Sequence, residues 1–161
     1  MKWQRMLLWL CVIAVAVGIF CFSAQNGPAS SAASDAVAEV IIQVIDPDFD
    51  QLSTQAQGSV FSFVKKLVRK GAHFTEFAVL GFFVRLLINS YGLRWGSRLA
   101  WLAGTLYACT DELHQLFVAS RAAMWQDVLL DSCGVAAGVM LAHAVLVLIS
   151  RVRQKKAGNA G

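Results

Sequence analysis

The sequence predicts an all-α integral membrane protein with about four transmembrane helices and an extracytoplasmic amphipathic helical segment between the first two. Of the 161 residues, 57% are hydrophobic and only 15% are charged, which is well outside the balance of water-soluble domains. The apolar residues are also gathered into long blocks, and a helix needs about 20 such residues to cross the hydrocarbon core of a bilayer. We therefore expect a single membrane domain over residues 1–161.

The first predicted transmembrane helix covers residues 6–22, behind Lys2 and Arg5. A secretory signal peptide begins in the same way, but further spanning segments follow, so a retained helix is the simpler interpretation. Gly27 and Pro28 are expected to end any helix and to mark the exit from the bilayer.

Two amphipathic helices are predicted between the first two transmembrane helices. In the first, over residues 34–45, valine and isoleucine recur at helical spacing until the turn sequence DPDFD stops the helix. The second, over residues 60–70, has one apolar side and a basic side formed by Lys65, Lys66, Arg69 and Lys70. Helices of this kind lie at the membrane interface, where basic residues meet anionic headgroups.

The remaining apolar blocks predict transmembrane helices over residues 72–90, 97–118 and 125–149, followed by a cytoplasmic basic tail over 150–161. Cytoplasmic loops carry an excess of Lys and Arg. Placing both termini in the cytoplasm puts nine of the fourteen basic residues there: Lys2, Arg5, Arg85, Arg94, Arg98, Arg151, Arg153, Lys155 and Lys156. We therefore expect a multi-pass protein of the cytoplasmic (plasma) membrane with both termini inside. The basic residues of the 60–70 segment fit this orientation least well.

Polar residues are predicted to meet at one membrane face. The start of the second transmembrane helix, the end of the third and the start of the fourth lie on the same side of an alternating bundle, which is extracytoplasmic in this orientation. Ionisable side chains inside spanning helices cost a few kcal/mol each and are usually paired or functional. The candidate catalytic residues are His73, Glu76, Asp111, Glu112 and His114, and the candidate ligand-binding residues are Lys70, Gln115, Arg121, Asp127 and Asp131.

These residue types are compatible with more than one chemistry. Two histidines with several carboxylates can act as general acid and base, or can bind a divalent metal as cofactor, with His73, Glu76, Asp111 and His114 as the candidate ligands. A basic rim beside them suits an anionic headgroup, with Arg121 contacting a phosphate or carboxylate. Asp127 and Asp131 could orient that arginine through ion pairs. The simplest alternative is that all of these are hydrated groups at helix ends.

Three segments carry a resemblance to a known family. The run DELHQLFVASRAAMWQDVLLDSCGVAAG over residues 111–138 resembles the signature of the VanZ-like family of membrane proteins. FSAQNG over 22–27 and KGAHFTEFAVLG over 70–81 are similar to its other recurrent patterns, in the same order. One departure is Phe77, where many members are expected to have a tyrosine. The resemblance covers nearly the whole chain and includes all ten candidate site residues.

The resemblance implies a role in the cell envelope, since the family takes its name from a protein associated with low-level resistance to the glycopeptide antibiotic teicoplanin. The leading hypothesis is therefore a VanZ-like membrane protein that binds or modifies an anionic envelope lipid or lipid-linked intermediate at the outer leaflet. A small proton-coupled transporter and a non-catalytic assembly or partner protein are the alternatives. No nucleic-acid partner is expected, because the membrane flanks account for the net charge of +4.

Overall fold

The computed structural model describes residues 2–24, 27–118 and 124–158. These residues form five α-helices and one short 3-10 turn at Phe49–Gln51. The helices are α1 (Lys2–Ser23), α2 (Gly27–Ile45), α3 (Thr54–Ser90), α4 (Gly96–Gln115) and α5 (Trp125–Gly158). The predicted all-α class is confirmed.

Three helices of the described part, α1, α3 and α5, are long and apolar enough to cross a membrane. At a rise of 1.5 Å per residue, the 20 residues of α4 extend over about 30 Å, which also matches a bilayer core. α4 does not qualify by composition, because every stretch of 18 residues in it contains Arg98, Asp111 and Glu112. The chain is thus a membrane protein with three helices that qualify as spans by length and composition.

α3 joins two segments that were predicted as separate helices, over residues 60–70 and 72–90. The helix runs without a break from Thr54 to Ser90 because the chain has no proline there, and Gly71 alone costs only about 1 kcal/mol. The Ser53 side chain accepts a hydrogen bond from the Ala56 N–H and caps its start. With 37 residues α3 is about 55 Å long, so one end extends well beyond a 30 Å hydrocarbon core.

α2 begins at Gly27, earlier than the predicted start at residue 34. Pro28 lies in its first turn, where a missing backbone N–H leaves no intrahelical hydrogen bond unmade. The helix packs against α3 through the buried Ala38 and Ile42. Asp35 adds an ion pair of 2.5 Å to Lys65 of α3.

Glycines allow α3 and α5 to approach each other closely. Gly81 of α3 faces the backbone of Val135, and Gly138 of α5 faces the carbonyl of Ala78, so close that a Cβ at either glycine would collide with backbone atoms. Helices pack through small residues in membranes, where dispersion between close backbones replaces the hydrophobic driving force. Phe77 and Val135 are fully buried at this contact.

Contacts at the two ends of the bundle show how the helices alternate. Near the start of α1, the guanidinium of Arg5 donates to the carbonyl of Ser90 at 2.8 and 3.2 Å, which places the start of α1 beside the end of α3. At the same end, Arg85 donates to the hydroxyl of Ser97 at 3.0 Å. We call this the Arg5 end, and the opposite end, with Ser23, is the polar end.

Candidate functional site

Four helices contribute polar side chains to the polar end. Ser23 comes from the last turn of α1, His73 from the middle of α3, Asp111 from the end of α4 and Asp131 from the start of α5. Asp131 is fully buried, and Asp111 is only 3% exposed. The predicted convergence of α3, α4 and α5 is therefore present in the fold. Burial of the two carboxylates argues against the alternative of hydrated helix-end groups.

Asp111 is held by two hydrogen bonds to the same carboxylate oxygen. Its Oδ2 accepts from the hydroxyl of Ser23 at 2.9 Å and from the amide of Gln115 at 3.1 Å. The Gln115 amide also donates to the Ser23 oxygen at 2.8 Å, so the three side chains form a closed triangle. This arrangement leaves Asp111 Oδ1 without a hydrogen-bond partner among the described residues.

His73 and Asp131 face each other across the contact between α3 and α5. His73 Nδ1 lies 3.8 Å from Asp131 Oδ2, which is beyond direct hydrogen-bond distance. Neither that nitrogen nor either Asp131 oxygen has a hydrogen-bond partner in the described part of the chain. One ligand atom each from His73, Asp111 and Asp131 lie within 4.8 Å of one another, close enough for all three to contact one metal ion.

A small cavity opens beside this group. Its walls include His73, Asp131 and Gln115, and also two basic residues of α3, Arg69 and Lys70. Lys70 forms an ion pair of 2.5 Å with Asp127 of α5, one turn before Asp131. The pair joins the two helices at the mouth of the site, so Lys70 meets a carboxylate of the protein itself. Asp127 thus pairs with Lys70, and the predicted pair with Arg121 lies outside the described residues.

The other predicted site residues are spread around this centre. Glu112 is buried and accepts a hydrogen bond of 3.0 Å from the N–H of Met124, next to the start of α5. His114 stacks on Phe20 of α1 with ring centroids 4.3 Å apart. Glu76 is half-buried and interacts electrostatically with the central group, but it makes no hydrogen bond or ion pair to another described residue. Arg121 lies outside the described residues.

The structure gathers two of the four predicted metal ligands, His73 and Asp111, and adds Asp131 to them. Glu76 and His114 are not part of this three-residue group. The difference follows from helix geometry, since residues at spacing three or four share a face but only tertiary packing decides which faces meet.

Ser23 is a site residue that sequence reasoning missed. Its hydroxyl is buried and hydrogen-bonded to both Asp111 and Gln115. Chain alternation could have indicated Ser23, because in an alternating bundle the end of one spanning helix lies at the same face as the start of the next spanning helix. Phe77 is also near, fully buried against Tyr107 with ring centroids 6.1 Å apart, and it offers no hydroxyl to the site.

Polar side chains contributed by four packed helices, with ionisable groups from three of them, define a multi-helix membrane protein with a polar site at one end of its bundle. The particular family is shown by comparison: the family model described as VanZ/LLP1 matches residues 8–148. The chain therefore belongs to the VanZ/LLP1 family, which confirms the resemblance seen in the sequence. Comparisons with curated proteins and with solved structures each found no match.

Proposed function

We propose that the polar end binds the headgroup of an anionic envelope lipid or lipid-linked intermediate at the outer leaflet, and that binding changes susceptibility to glycopeptides such as teicoplanin. The observation that carries the proposal is the basic border of the polar end, where Arg69 and Lys70 of α3 lie beside His73 and Asp131. The cavity between them, about 10 Å³, has room for about one water molecule, so the headgroup would bind at its mouth. Cationic side chains next to buried acid/base groups suit a phosphate or carboxylate that must be recognised at membrane depth.

The basic surface of α3 leads toward this cavity. Lys66 and Arg69 are exposed, whereas Lys65 and Lys70 pair with Asp35 and Asp127. Free cations near a membrane surface each contribute about 1 kcal/mol of attraction to anionic lipids. Lys66 and Arg69 are therefore the residues we expect to attract the headgroup first.

The orientation of the site depends on how many helices cross the bilayer. We infer that α4 is the fourth crossing, because it is about 30 Å long and packs beside the three apolar helices. Its start lies near the Arg5 end, where Ser97 meets Arg85, and its end lies at the polar end, where Asp111 meets Ser23. With both termini in the cytoplasm, the polar end then lies at the outer leaflet.

The test replaces both histidines of the polar end, His73→Ala with His114→Ala, in cells that express the protein. We expect a changed composition of anionic envelope lipids and a changed teicoplanin sensitivity relative to the wild type. His143→Ala is the matched control, since His143 is an exposed histidine of α5 that is not among the residues of the cavity. Protein abundance in the membrane is measured for every variant.

An unchanged lipid composition and antibiotic sensitivity at normal abundance would contradict the proposal. A loss of abundance is resolved with His73→Gln, which keeps a polar side chain of similar reach. If the glutamine variant accumulates normally and behaves as the wild type, the imidazole has no role in headgroup recognition.

A further inference from the structure

We propose that His73, Asp111 and Asp131 form a binding site for one divalent transition-metal cation. The site lies beside the proposed headgroup cavity, so its biological meaning rests on that proposed function. The existence of the metal site does not depend on that function, because metal binding can be measured without any added lipid ligand.

The first argument is geometric. Ligand atoms bonded to one metal at about 2.1 Å lie roughly 3–3.5 Å from one another at coordination angles of about 90–110°, and at most about 4.2 Å apart. His73 Nδ1 and Asp131 Oδ2 are 3.8 Å apart, and the three-residue group falls within 4.8 Å. Side-chain movements of up to about 1 Å would bring the three ligand atoms to metal-binding distances.

The second argument is electrostatic. Asp131 is fully buried and Asp111 nearly so, and an isolated carboxylate in an apolar environment is costly unless it is paired or coordinates a metal. Among the described residues neither carboxylate has a Lys or Arg partner, because Lys70 pairs with Asp127 instead. His73, at 3.8 Å, can supply one positive charge at most. A divalent cation would neutralise both carboxylates at once.

The third argument concerns the surroundings of the ligands. Metal-binding carboxylates are usually oriented by hydrogen bonds to the oxygen that does not face the metal. Ser23 and Gln115 both donate to Asp111 Oδ2, and Asp111 Oδ1 has no partner in the described part of the chain. This asymmetry is the one expected of an oriented ligand, and it makes Ser23 a positioning residue.

The ligand types indicate which cations fit. One imidazole nitrogen with two carboxylates suits Mn²⁺, Fe²⁺ or Zn²⁺, whereas Ca²⁺ and Mg²⁺ prefer sites made of oxygen alone. A bound cation would also reduce the negative charge that now faces the cavity, and would thereby favour the approach of an anionic headgroup. The metal would in that case be part of the headgroup site.

The experiment uses the full-length protein in detergent, stripped with a chelator and titrated with Mn²⁺ alone. Free Mn²⁺ is followed by electron paramagnetic resonance, with Zn²⁺ as competitor. We expect saturable binding of one ion per chain, at least ~10-fold weaker in Asp131→Asn and about 10-fold weaker in Ser23→Ala. The nitrogen coupling of the bound ion should disappear in His73→Ala.

Glu39→Gln is the control, because it removes one carboxylate charge at an exposed position of α2, outside both the three-residue group and the cavity. Its Mn²⁺ affinity should stay close to that of the wild type. The proposal is overturned if the wild type shows no saturable binding of either ion, or if Glu39→Gln weakens binding as much as Asp131→Asn. Because binding is measured on the wild type itself, the result does not depend on whether a variant folds.

Discussion

Replacing Gly134 by alanine is expected to force α3 and α5 apart beside the site. Gly134 lies three residues after Asp131, and it faces the backbone of Phe74, the neighbour of His73. A Cβ at this position would collide with the Phe74 carbonyl oxygen and would lie 3.2 Å from its carbonyl carbon. The obstacle is a helix backbone, so no side-chain rotation can relieve the collision.

The magnitude follows from two opposing contributions. Overpacking of a tight contact costs about 1–3 kcal/mol, and we expect the upper half of this range because backbone must move. Alanine gains up to about 1 kcal/mol over glycine in helix propensity. Gly134→Ala should therefore destabilise the protein by about 1–2 kcal/mol. Gly18→Ala in α1 gains the same propensity without a collision, since no described atom lies within 4 Å of its Cβ position.

The assay compares the two alanine variants by reversible SDS-induced unfolding in mixed micelles, followed by far-UV circular dichroism. The difference between Gly134→Ala and Gly18→Ala should be about 2–3 kcal/mol, because the propensity gain cancels between them. If the two variants unfold at the same SDS fraction, the close contact between α3 and α5 is not tight in the membrane protein. The reasoning from the Phe74 contact would then be refuted.

Three further predictions concern the polar end. Ser23→Ala should lower the free energy of unfolding by about 1–3 kcal/mol, because it removes one of the two hydrogen bonds to the buried Oδ2 of Asp111. Ser59→Ala is the control: its hydroxyl is exposed, and the substitution should leave the free energy of unfolding nearly unchanged. A double-mutant cycle with Lys70→Gln and Asp127→Asn should give a coupling of about 0.5–1 kcal/mol, since the pair is partly exposed, and strict additivity would contradict the ion pair. Anionic lipid retained by the purified protein, measured by native mass spectrometry, should fall on treatment with a chelator and recover with Mn²⁺. If the amount of retained anionic lipid does not change on treatment with the chelator, headgroup binding needs no metal.

Much of the site could be predicted because it depends on chain alternation alone. Once the apolar blocks were recognised, the positions of His73, Asp111 and Asp131 near matching helix ends placed them at one face of the bundle. The pairings could not be predicted in the same way. A carboxylate at a given depth can meet any neighbour of similar depth, and Asp127 meets Lys70, a partner that the sequence did not indicate.

The sequence by itself determined the helical class, the membrane environment and the ends of the helices that carry the polar residues, since these follow from apolar block length and from charge. Only the tertiary structure decided which faces of those helices meet. Gly134 and Gly138 let α5 approach α3, and this approach brings Asp131 opposite His73. The physical reason is that residue periodicity fixes a side chain's direction on its own helix, whereas its partner depends on close packing between helices that are distant in sequence.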